Sequence, residues 1–324
     1  MNINEWSSDG LQLIKVENNV GLTITFANLG ASVFSIYLND EIMTMTTKNI
    51  ADFKKTNVYY GKTIGRIANR IEDGKIEINN QVFQLTQNEG NNTLHGGPEG
   101  LSNQYFDYKI IRELNFVRII FTYLSFAKET NLPGNVTFKI EYQIKENETS
   151  FATILLANTD AKTPINLTNH LYFCLGEQSL DNAQLQIVSS CYIEPRKEDL
   201  IPLAYLPVCK CLDFRKLKSI MLDITNPYLQ NSKTKGYDYF FLFDNKSLNT
   251  PNIVLKTRKH TLEVYSDYEG VQIYSDNYKD DVLVENTNEQ IHRAIAIEPV
   301  DSYLSPHLIT PDKEYIRHIT YLIR

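Results

Sequence analysis

The chain has 324 residues, of which 42% are hydrophobic and 22% are charged. This balance is typical of a globular protein and excludes a fully disordered chain. The 32 lysines and arginines face 39 aspartates and glutamates, which gives a net charge of −7. An acidic surface repels phosphate backbones, and the densest basic cluster, residues 215–218, is short. We therefore expect no nucleic-acid partner.

The first predicted strands follow the alternation of apolar and polar residues. Residues 22–26 alternate with period two, as a strand with one buried face does. Two further alternating runs, 75–78 and 82–85, flank Asn79 and Asn80. Because asparagine tolerates the positive φ of tight turns, this pattern predicts a β-hairpin.

One helix is suggested near residue 67, and the evidence for it is mixed. Ile64, Ile67 and Ile71 have the spacing of one helical face. Gly65 lies inside this segment and weakens the prediction, since glycine is unfavourable in a helix interior.

The remaining segments indicate a long antiparallel meander. Residues 138–144 alternate between apolar and polar side chains, and the polar run 145–148 then turns the chain into the apolar run 151–156. This pattern is typical of a sheet with one wet face. Similar strands continue to residues 315–321, without a linker or a short repeat. We therefore predict an all-β fold, one large antiparallel β-sandwich, as a single domain over residues 1–324.

Membrane and disulfide signals are weak along the chain. No apolar run approaches the roughly 18–20 residues of a membrane span, and residues 1–7 do not resemble a signal peptide. We expect a cytoplasmic protein without a membrane partner. The cysteines are too few for a disulfide framework, and no second pair or nearby histidine completes a zinc set. We interpret them as buried or idle thiols; they are Cys174, Cys191, Cys209 and Cys211.

Two histidines have unusual surroundings. His95 precedes Gly96 and Gly97, which allow a sharp bend and a close approach to a ligand. The alternative is a loop histidine beside a turn. If residues 165–173 form a strand, His170 shares one face with amide, hydroxyl and phenol side chains, which suits a polyhydroxylated ligand. The alternative there is a solvated sheet face.

Two carboxylates also stand out. In a strand, Glu298 would share a face with Ala294 and Ala296, which leave space beside a carboxylate that can act as a base. A surface glutamate at a strand end is the alternative. Asp238 lies in an aromatic run, a composition common in sugar-binding sites and also in core strands with a capping aspartate.

These residues fall within six short motifs that follow one another along the chain. They are Gly65-Arg66-Ile67-Ala68-Asn69-Arg70-Ile71, Leu94-His95-Gly96-Gly97, Asn166-Leu167-Thr168-Asn169-His170-Leu171-Tyr172-Phe173, Gly236-Tyr237-Asp238, Gly270-Val271-Gln272-Ile273-Tyr274 and Ile297-Glu298. In order and spacing the motifs resemble the aldose 1-epimerase (galactose mutarotase) family, and the resemblance covers nearly the whole chain.

The resemblance implies a β-sandwich of the galactose-mutarotase type and an enzyme that interconverts the α and β anomers of an aldose. The substrate would be a hexose such as galactose or glucose, or a disaccharide such as maltose. Glu298 would be the general base, His170 the general acid, and His95 a second imidazole near the ring oxygen.

The resemblance also implies which residues bind the sugar. Arg70 and Asp238 would bind hydroxyl groups, with Asn69 beside Arg70. Neither a cofactor nor a metal is expected, and we expect a monomer or a homodimer. The reaction needs a base at one oxygen and an acid at another, and the sequence lacks a phosphate-binding glycine loop.

The chain departs from the family pattern at four positions close to the motifs. Leu171 replaces the usual serine, Cys174 stands where asparagine is common, Tyr239 follows Asp238 where histidine is usual, and Pro299 follows Glu298 where threonine is common. These departures leave the sugar preference open.

Three other functions remain open on the sequence. The first is a sugar-binding or sensing protein without catalysis. The second is a metalloenzyme that uses His95, His170, Asp238 and Glu298, although no tight His-x-His pair occurs. The third is a hexose-phosphate epimerase, which would need additional basic residues at the pocket.

Overall fold

The computed structural model describes residues 1–285, 287 and 289–324. Strands are the predominant regular structure, and every pairing between the strands named below is antiparallel. The prediction of an antiparallel all-β fold is confirmed.

The strands of the first half are β1 (Asn2–Ser8), β2 (Leu11–Glu17), β3 (Leu22–Ala27), β4 (Ser32–Leu38), β5 (Glu41–Ile42), β6 (Thr63–Ile64), β7 (Arg70–Ile71), β8 (Lys75–Ile78), β9 (Gln81–Gln84), β10 (Thr93–Leu94), β11 (Asp107–Arg112), β12 (Phe116–Ser125), β13 (Val136–Lys145) and β14 (Ser150–Thr159). The strands of the second half are β15 (Thr163–Pro164), β16 (Thr168–Asn169), β17 (Leu171–Phe173), β18 (Gln184–Ile187), β19 (Cys191–Pro195), β20 (Pro202–Pro207), β21 (Lys218–Ser219), β22 (Asp238–Leu242), β23 (Ile253–Lys256), β24 (Thr261–Ser266), β25 (Gly270–Tyr274), β26 (Ile295–Val300), β27 (Leu308–Ile309) and β28 (Tyr315–Ile323).

Helices are short. The α-helices are α1 (Ile50–Lys55), α2 (Ala127–Thr130) and α3 (Pro227–Gln230). Single 3₁₀ turns occur at Glu72–Gly74, Leu101–Asn103, Leu180–Asn182, Lys210–Leu212 and Ile220–Asp223. Among the described residues, no helix is long and apolar enough to cross a membrane.

Three larger sheets form the body of the fold. One has five strands in the order β1-β2-β3-β4-β5, and one has nine in the order β11-β12-β13-β14-β28-β24-β23-β18-β21. The third has six strands in the order β17-β26-β25-β22-β19-β20. The inner faces of all three sheets contribute to one apolar cluster, which includes Phe26, Phe138, Tyr142, Ile273 and Ile297. Burial of each such side chain contributes roughly 1.5–3 kcal/mol.

The predicted hairpin is confirmed. β8 and β9 pair from Lys75 with Gln84 to Ile78 with Gln81. Asn79 and Asn80 connect them, with φ of 52° and 61°. Two consecutive residues at positive φ match the twist of the flanking strands, which is why asparagine suits both positions.

The suggested helix around Ile67 is wrong. Ile64 lies in β6 and Ile71 in β7, and each of these strands pairs with a distant segment. A Cβ atom on Gly65 would lie 2.5 Å from the Cδ2 atom of Leu167, so the backbone is pressed against a neighbouring segment. The pairing of distant strands therefore overrides the local spacing of the isoleucines.

Arg66 in the same segment has a structural role. Its side chain is buried, and its Nη1 and Nη2 atoms donate hydrogen bonds of 3.0 Å to the carbonyls of Gly134 and Ser125. These bonds fix the first motif against the loop after β12 and hold the neighbouring residues in place.

The expected strand over residues 165–173 is interrupted. β16 pairs with β6, whereas β17 pairs with β26 in the six-stranded sheet, and His170 lies between the two short strands. All the residues of this segment are buried. The solvated-face alternative for His170 is therefore wrong.

The cysteines are free thiols. Cys174 and Cys211 are buried, whereas Cys191 and Cys209 are partly exposed. Burial raises the pKa of Cys174 and of Cys211 to about 12, which keeps both thiols protonated and unreactive near neutral pH.

Candidate active site

One face of the six-stranded sheet forms the floor of the site. Leu171 pairs with Ile297 and Gln272 pairs with Glu298, so His170, which directly precedes β17, lies beside Glu298 of β26 and Gln272 of β25. Leu171 and Ile297 point to the opposite face, where both belong to the main core. The alternation predicted for the Glu298 segment is confirmed.

A second row of side chains runs parallel to the first. Tyr172, Ala296, Tyr274 and Asp238 occupy successive strands at the same level. The rings of Tyr172 and Tyr274 meet edge to face with their centroids 6.2 Å apart. The space expected beside the alanine is thus filled by two tyrosine rings.

His170 and Glu298 are in direct contact. The Nε2 atom of His170 lies 3.2 Å from Oε1 of Glu298, and the two side chains are 6% and 2% exposed. The imidazole stacks on Tyr172 with 4.9 Å between ring centroids. Its Nδ1 atom is buried and has no hydrogen-bond partner among the described residues. Glu298 is therefore not a surface residue at a strand end.

Burial shifts both groups toward their uncharged forms. The pKa of Glu298 is raised well above its usual value by burial and by the nearby Asp238 carboxylate, against the opposing effect of Arg70. Burial lowers the pKa of His170 to about 3. In the sugar-free protein the pair therefore favours a carboxylic acid beside a neutral imidazole.

The opposite wall comes from two loops that are joined by hydrogen bonds. β7 pairs with β10, so that Arg70 lies opposite Leu94 and His95 follows directly. The backbone N–H of Asn69 donates to Nδ1 of His95 at 3.2 Å, and the backbone N–H of His95 donates to the carbonyl of Asn69 at 3.0 Å. These bonds orient the imidazole toward the site.

The glycine after His95 is required by geometry. Gly96 has φ of 84°, and a Cβ atom at this position would lie 2.3 Å from the carbonyl oxygen of Gly65. Only glycine fits such a close approach at positive φ. The predicted sharp bend is confirmed.

His95 is held in its neutral form. Burial lowers its pKa well below the usual value, and the charges of His170 and Arg70 act in the same direction. Since Nδ1 accepts the Asn69 N–H, the proton of the neutral ring resides on Nε2. The centroids of His95 and His170 lie 5.6 Å apart.

Arg70 is part of an ion cluster. Its Nε and Nη2 atoms donate to the two carboxylate oxygens of Glu89 at 2.7 and 2.9 Å. Lys233 approaches the same carboxylate at 3.7 Å. Burial alone would lower the pKa of Arg70, but Asp238 and Glu89 outweigh it and raise this pKa.

Asp238 is held by Gln272. The amide Nε2 atom of Gln272 donates to Oδ1 of Asp238 at 2.5 Å. Burial raises the pKa of Asp238, while Arg70 and Gln272 act against this shift. The amide oxygen of Gln272 is buried, and no residue in the described part of the chain forms a hydrogen bond with it.

All six site residues predicted from the sequence line one cavity of about 330 Å³. The volume suits a small ligand such as a monosaccharide. They share the wall with other polar and aromatic side chains. Among the residues that the structure describes, the lining consists of Asn57, Val58, Tyr59, Asn69, Arg70, Glu89, Leu94, His95, His170, Tyr172, Leu200, Lys233, Thr234, Asp238, Gln272, Tyr274, Tyr278, Glu298 and Tyr303.

Sequence reasoning missed Glu89, Lys233 and Gln272. Gln272 lies in one of the six motifs, and its alternation with Tyr274 could have placed it on the floor. Glu89 and Lys233 belong to loops, where no periodicity indicates which side chains point inward.

The four departures from the family pattern are absent from the cavity wall. Leu171 and Tyr239 belong to the main core because they alternate with site residues along their strands. Cys174 packs in a second apolar cluster, and the carbonyl of Pro299 accepts a hydrogen bond from Thr168 at 2.8 Å. These four side chains therefore do not line the space that a sugar in this cavity would occupy.

The site combines an acid–base pair with polar groups that can bind hydroxyls. A carboxyl group in contact with an imidazole in the wall of a cavity can transfer protons to and from a bound molecule. Among the described residues, no group of three His, Cys, Asp or Glu side chains has the arrangement of a metal site.

Comparisons with known proteins agree with this chemistry. The family model described as aldose 1-epimerase matches residues 12–317. The aldose 1-epimerase of Escherichia coli K12 is 31% identical over 280 residues, which cover 82% of this chain and 79% of that protein. The galactose mutarotase of Sus scrofa is 26% identical over 290 residues, with coverage of 85% and 81%.

Solved structures establish the fold. A galactose 1-epimerase from Lactobacillus acidophilus NCFM superposes with a TM-score of 0.87 at 24% identity, over 100% of this chain and 98% of that one. An aldose epimerase homologue from C. elegans superposes with a TM-score of 0.81 at 22% identity, over 97% of this chain and 99% of that one. The fold is the antiparallel β-sandwich of the galactose-mutarotase type.

The fold and the site thus define an isomerase that acts on aldoses. The chain belongs to the aldose 1-epimerase family.

Proposed function

We propose that this protein interconverts the α and β anomers of an uncharged aldohexose by general acid–base ring opening and reclosure. Galactose and glucose are the first candidates, with maltose as a larger alternative. The observation that carries the proposal is the 3.2 Å contact between His170 and Glu298 on the floor of the cavity.

Ring opening moves two protons. Glu298 as a carboxylate takes the proton of the anomeric hydroxyl, and the C1–O1 bond becomes a carbonyl. The bond between C1 and the ring oxygen breaks, and His170 as an imidazolium donates a proton to that oxygen. Rotation about C1–C2 presents the other carbonyl face, and reclosure reverses both transfers.

The electrostatics of His170 and Glu298 favour the proton transfers of ring opening. Ring opening converts a carboxylate and an imidazolium into a carboxylic acid and a neutral imidazole. Burial shifts the pKa of Glu298 upward and that of His170 to about 3, so it favours the uncharged pair. The environment thereby stabilises the open-chain complex relative to a ring-closed complex that holds the charged pair.

The other wall residues bind and orient the sugar. His95 is neutral with its proton on Nε2 and donates a hydrogen bond near the ring oxygen. Arg70 donates to hydroxyl groups, Asp238 accepts from them, and Asn69 fixes the loop that carries Arg70. Orientation of this kind lowers the barrier because the reacting atoms are already placed.

Polarimetry tests the proposal directly. Freshly dissolved α-galactose, α-glucose and α-maltose should each be followed with the wild type and with Glu298→Gln. We expect the wild type to accelerate the change of rotation for at least one sugar, and the variant to lose most of this acceleration. Glu113→Gln is a matched control, because Glu113 pairs with Arg118 at 3.0 Å on an exposed surface.

A protein that only binds sugars gives a different result. It would bind these sugars in a calorimeter and leave the rate of mutarotation at its uncatalysed value. That outcome would overturn the proposal.

A further inference from the structure

We propose that Glu89 is a specificity-determining residue that makes the cavity reject anionic sugars such as sugar phosphates and sugar acids. This inference rests on the proposed function, and it adds a role for a side chain outside the acid–base pair. It starts from the ion cluster of Arg70, Glu89 and Lys233 in the cavity wall.

Glu89 first restricts how Arg70 is presented. The carboxylate engages Nε and Nη2 of the guanidinium through two parallel hydrogen bonds. This bidentate geometry is the one that a free arginine offers to a phosphate or a carboxylate ligand. Glu89 therefore occupies the Nε/Nη2 edge of Arg70, which could otherwise bind an anion, and leaves Nη1 outside the pair, where it can donate to a neutral hydroxyl.

Glu89 also balances the charge of the cavity. The cationic side chains in the wall are Arg70 and Lys233, and Glu89 and Asp238 oppose them. The pair of His170 and Glu298 is neutral overall while it holds one proton. Loss of the Glu89 charge would leave one excess positive charge, and the field would then attract anions.

The side chain of Glu89 is not needed to form its own loop. The backbone N–H of Glu89 donates to the carbonyl of Asn92 at 3.1 Å, and the N–H of Asn92 donates back at 3.0 Å. The side chain is 24% exposed. Substitutions can therefore change its charge while the turn remains intact.

The test compares a neutral sugar with its phosphorylated counterpart. Values of kcat/KM for glucose and glucose 6-phosphate should be measured for the wild type, Glu89→Gln, Glu89→Asp and the Glu113→Gln control. We expect Glu89→Gln to raise the ratio of kcat/KM for glucose 6-phosphate to kcat/KM for glucose by about tenfold or more. The reason is that a negative charge, which repels the phosphate, is removed from a partly buried site. Glu89→Asp keeps the charge and should keep the wild-type ratio.

A structural role for Glu89 predicts another pattern. If Glu89→Gln lowers kcat/KM for both sugars by the same factor, or leaves the ratio within twofold of the wild type, the proposal is wrong. An increased ratio in the Glu113→Gln control would also overturn it, since the effect would then follow from net charge alone.

Equilibrium binding separates this proposal from the proposed function. Calorimetric titration of the same variants with glucose and with glucose 6-phosphate measures selectivity without any turnover. Absence of mutarotation in the wild type would refute the catalytic proposal alone. Equal binding preferences in the wild type and Glu89→Gln would refute the role of Glu89.

Discussion

Asn69 and His95 hold each other through two hydrogen bonds, each donated by a backbone N–H group. The N–H of Asn69 donates to Nδ1 of His95 at 3.2 Å, and the N–H of His95 donates to the carbonyl of Asn69 at 3.0 Å. Asn69 and His95 both have positive φ, at 65° and 54°. The tautomer of His95 and its direction into the cavity therefore depend on the shape of two loops.

The loop after His95 can be tested at its glycine. Gly96→Ala should destabilise the protein by about 1–3 kcal/mol, because the new Cβ meets the carbonyl of Gly65 at a strained φ. Gly90→Ala is the matched control, since Gly90 also has positive φ but has no neighbouring atom within 4 Å. Thermal unfolding of both variants measures the difference. Equal losses would show that the contact with Gly65 has no cost.

The acid–base pair predicts a loss of turnover. Glu298→Gln and His170→Asn should each lower kcat by roughly 10²–10⁴-fold, the range expected for a lost general acid or base. Polarimetric rates at saturating sugar measure this effect, with Glu113→Gln as the control. A kcat near the wild-type value in either variant would contradict the assignment.

The residues proposed to bind hydroxyl groups predict a different kinetic signature. Arg70→Ala and Asp238→Ala should raise KM markedly with some fall in kcat, since the sugar is misplaced while the proton-transfer pair remains. Both variants should keep two limbs in the pH–rate profile, because these limbs belong to the coupled His170–Glu298 pair.

Asp238 is the sharper of these two cases, because burial raises its pKa as it does that of Glu298. If Asp238→Ala removes the acid limb and Glu298→Gln retains it, Asp238 is the base.

The raised pKa of Glu298 also predicts an effect on stability. A carboxyl group whose pKa is raised by folding contributes stability that is fully present below pH 4.5, its pKa in the unfolded chain. This stability is lost as the pH rises toward the pKa of the folded state. Glutamine cannot ionise, so the Glu298→Gln variant does not lose this stability as the pH rises. We expect the variant to be more stable than the wild type by about 1 kcal/mol or more at pH 8, with a smaller difference at pH 4.5. Thermal unfolding at the two pH values checks this sign.

Chelation provides a further prediction. Neither proton transfer in the proposed mechanism requires a Lewis acid, so dialysis against a chelator should leave the polarimetric rate unchanged. A rate that disappears on chelation and returns with an added divalent ion would refute this prediction, and metal analysis of the protein would identify the ion.

Sequence patterns predicted the elements in which local and tertiary preferences agree. Asn79 and Asn80 combine turn chemistry with two alternating flanks, and the hairpin forms there. Ile64 and Ile71 show the opposite case, because their helical spacing is local whereas β6 and β7 are defined by partners far along the chain. The pairing of strands that are far apart in the chain gives little signal in the residue pattern of one short strand.

The candidate site shows the same division between residues that a sequence pattern reveals and residues whose position depends on the folded chain. The resemblance to a family pointed to Glu298 and His170. Strand alternation explains why Glu298 reaches the cavity, whereas His170 reaches it from the interruption between β16 and β17. Glu89 and Lys233 lie on loops whose meeting point depends on the folded structure. A charged residue in a polar loop looks the same in sequence whether it faces solvent or a ligand.

The position of β28 has a consequence for how the protein is made. This strand lies between β14 and β24 in the middle of the nine-stranded sheet, although it follows every other strand along the chain. During synthesis, β14 and β24 each keep an unpaired edge until residues 315–323 have left the ribosome. The two edges of the nascent chain are therefore exposed to intermolecular strand pairing until β28 is available to fill the gap between them.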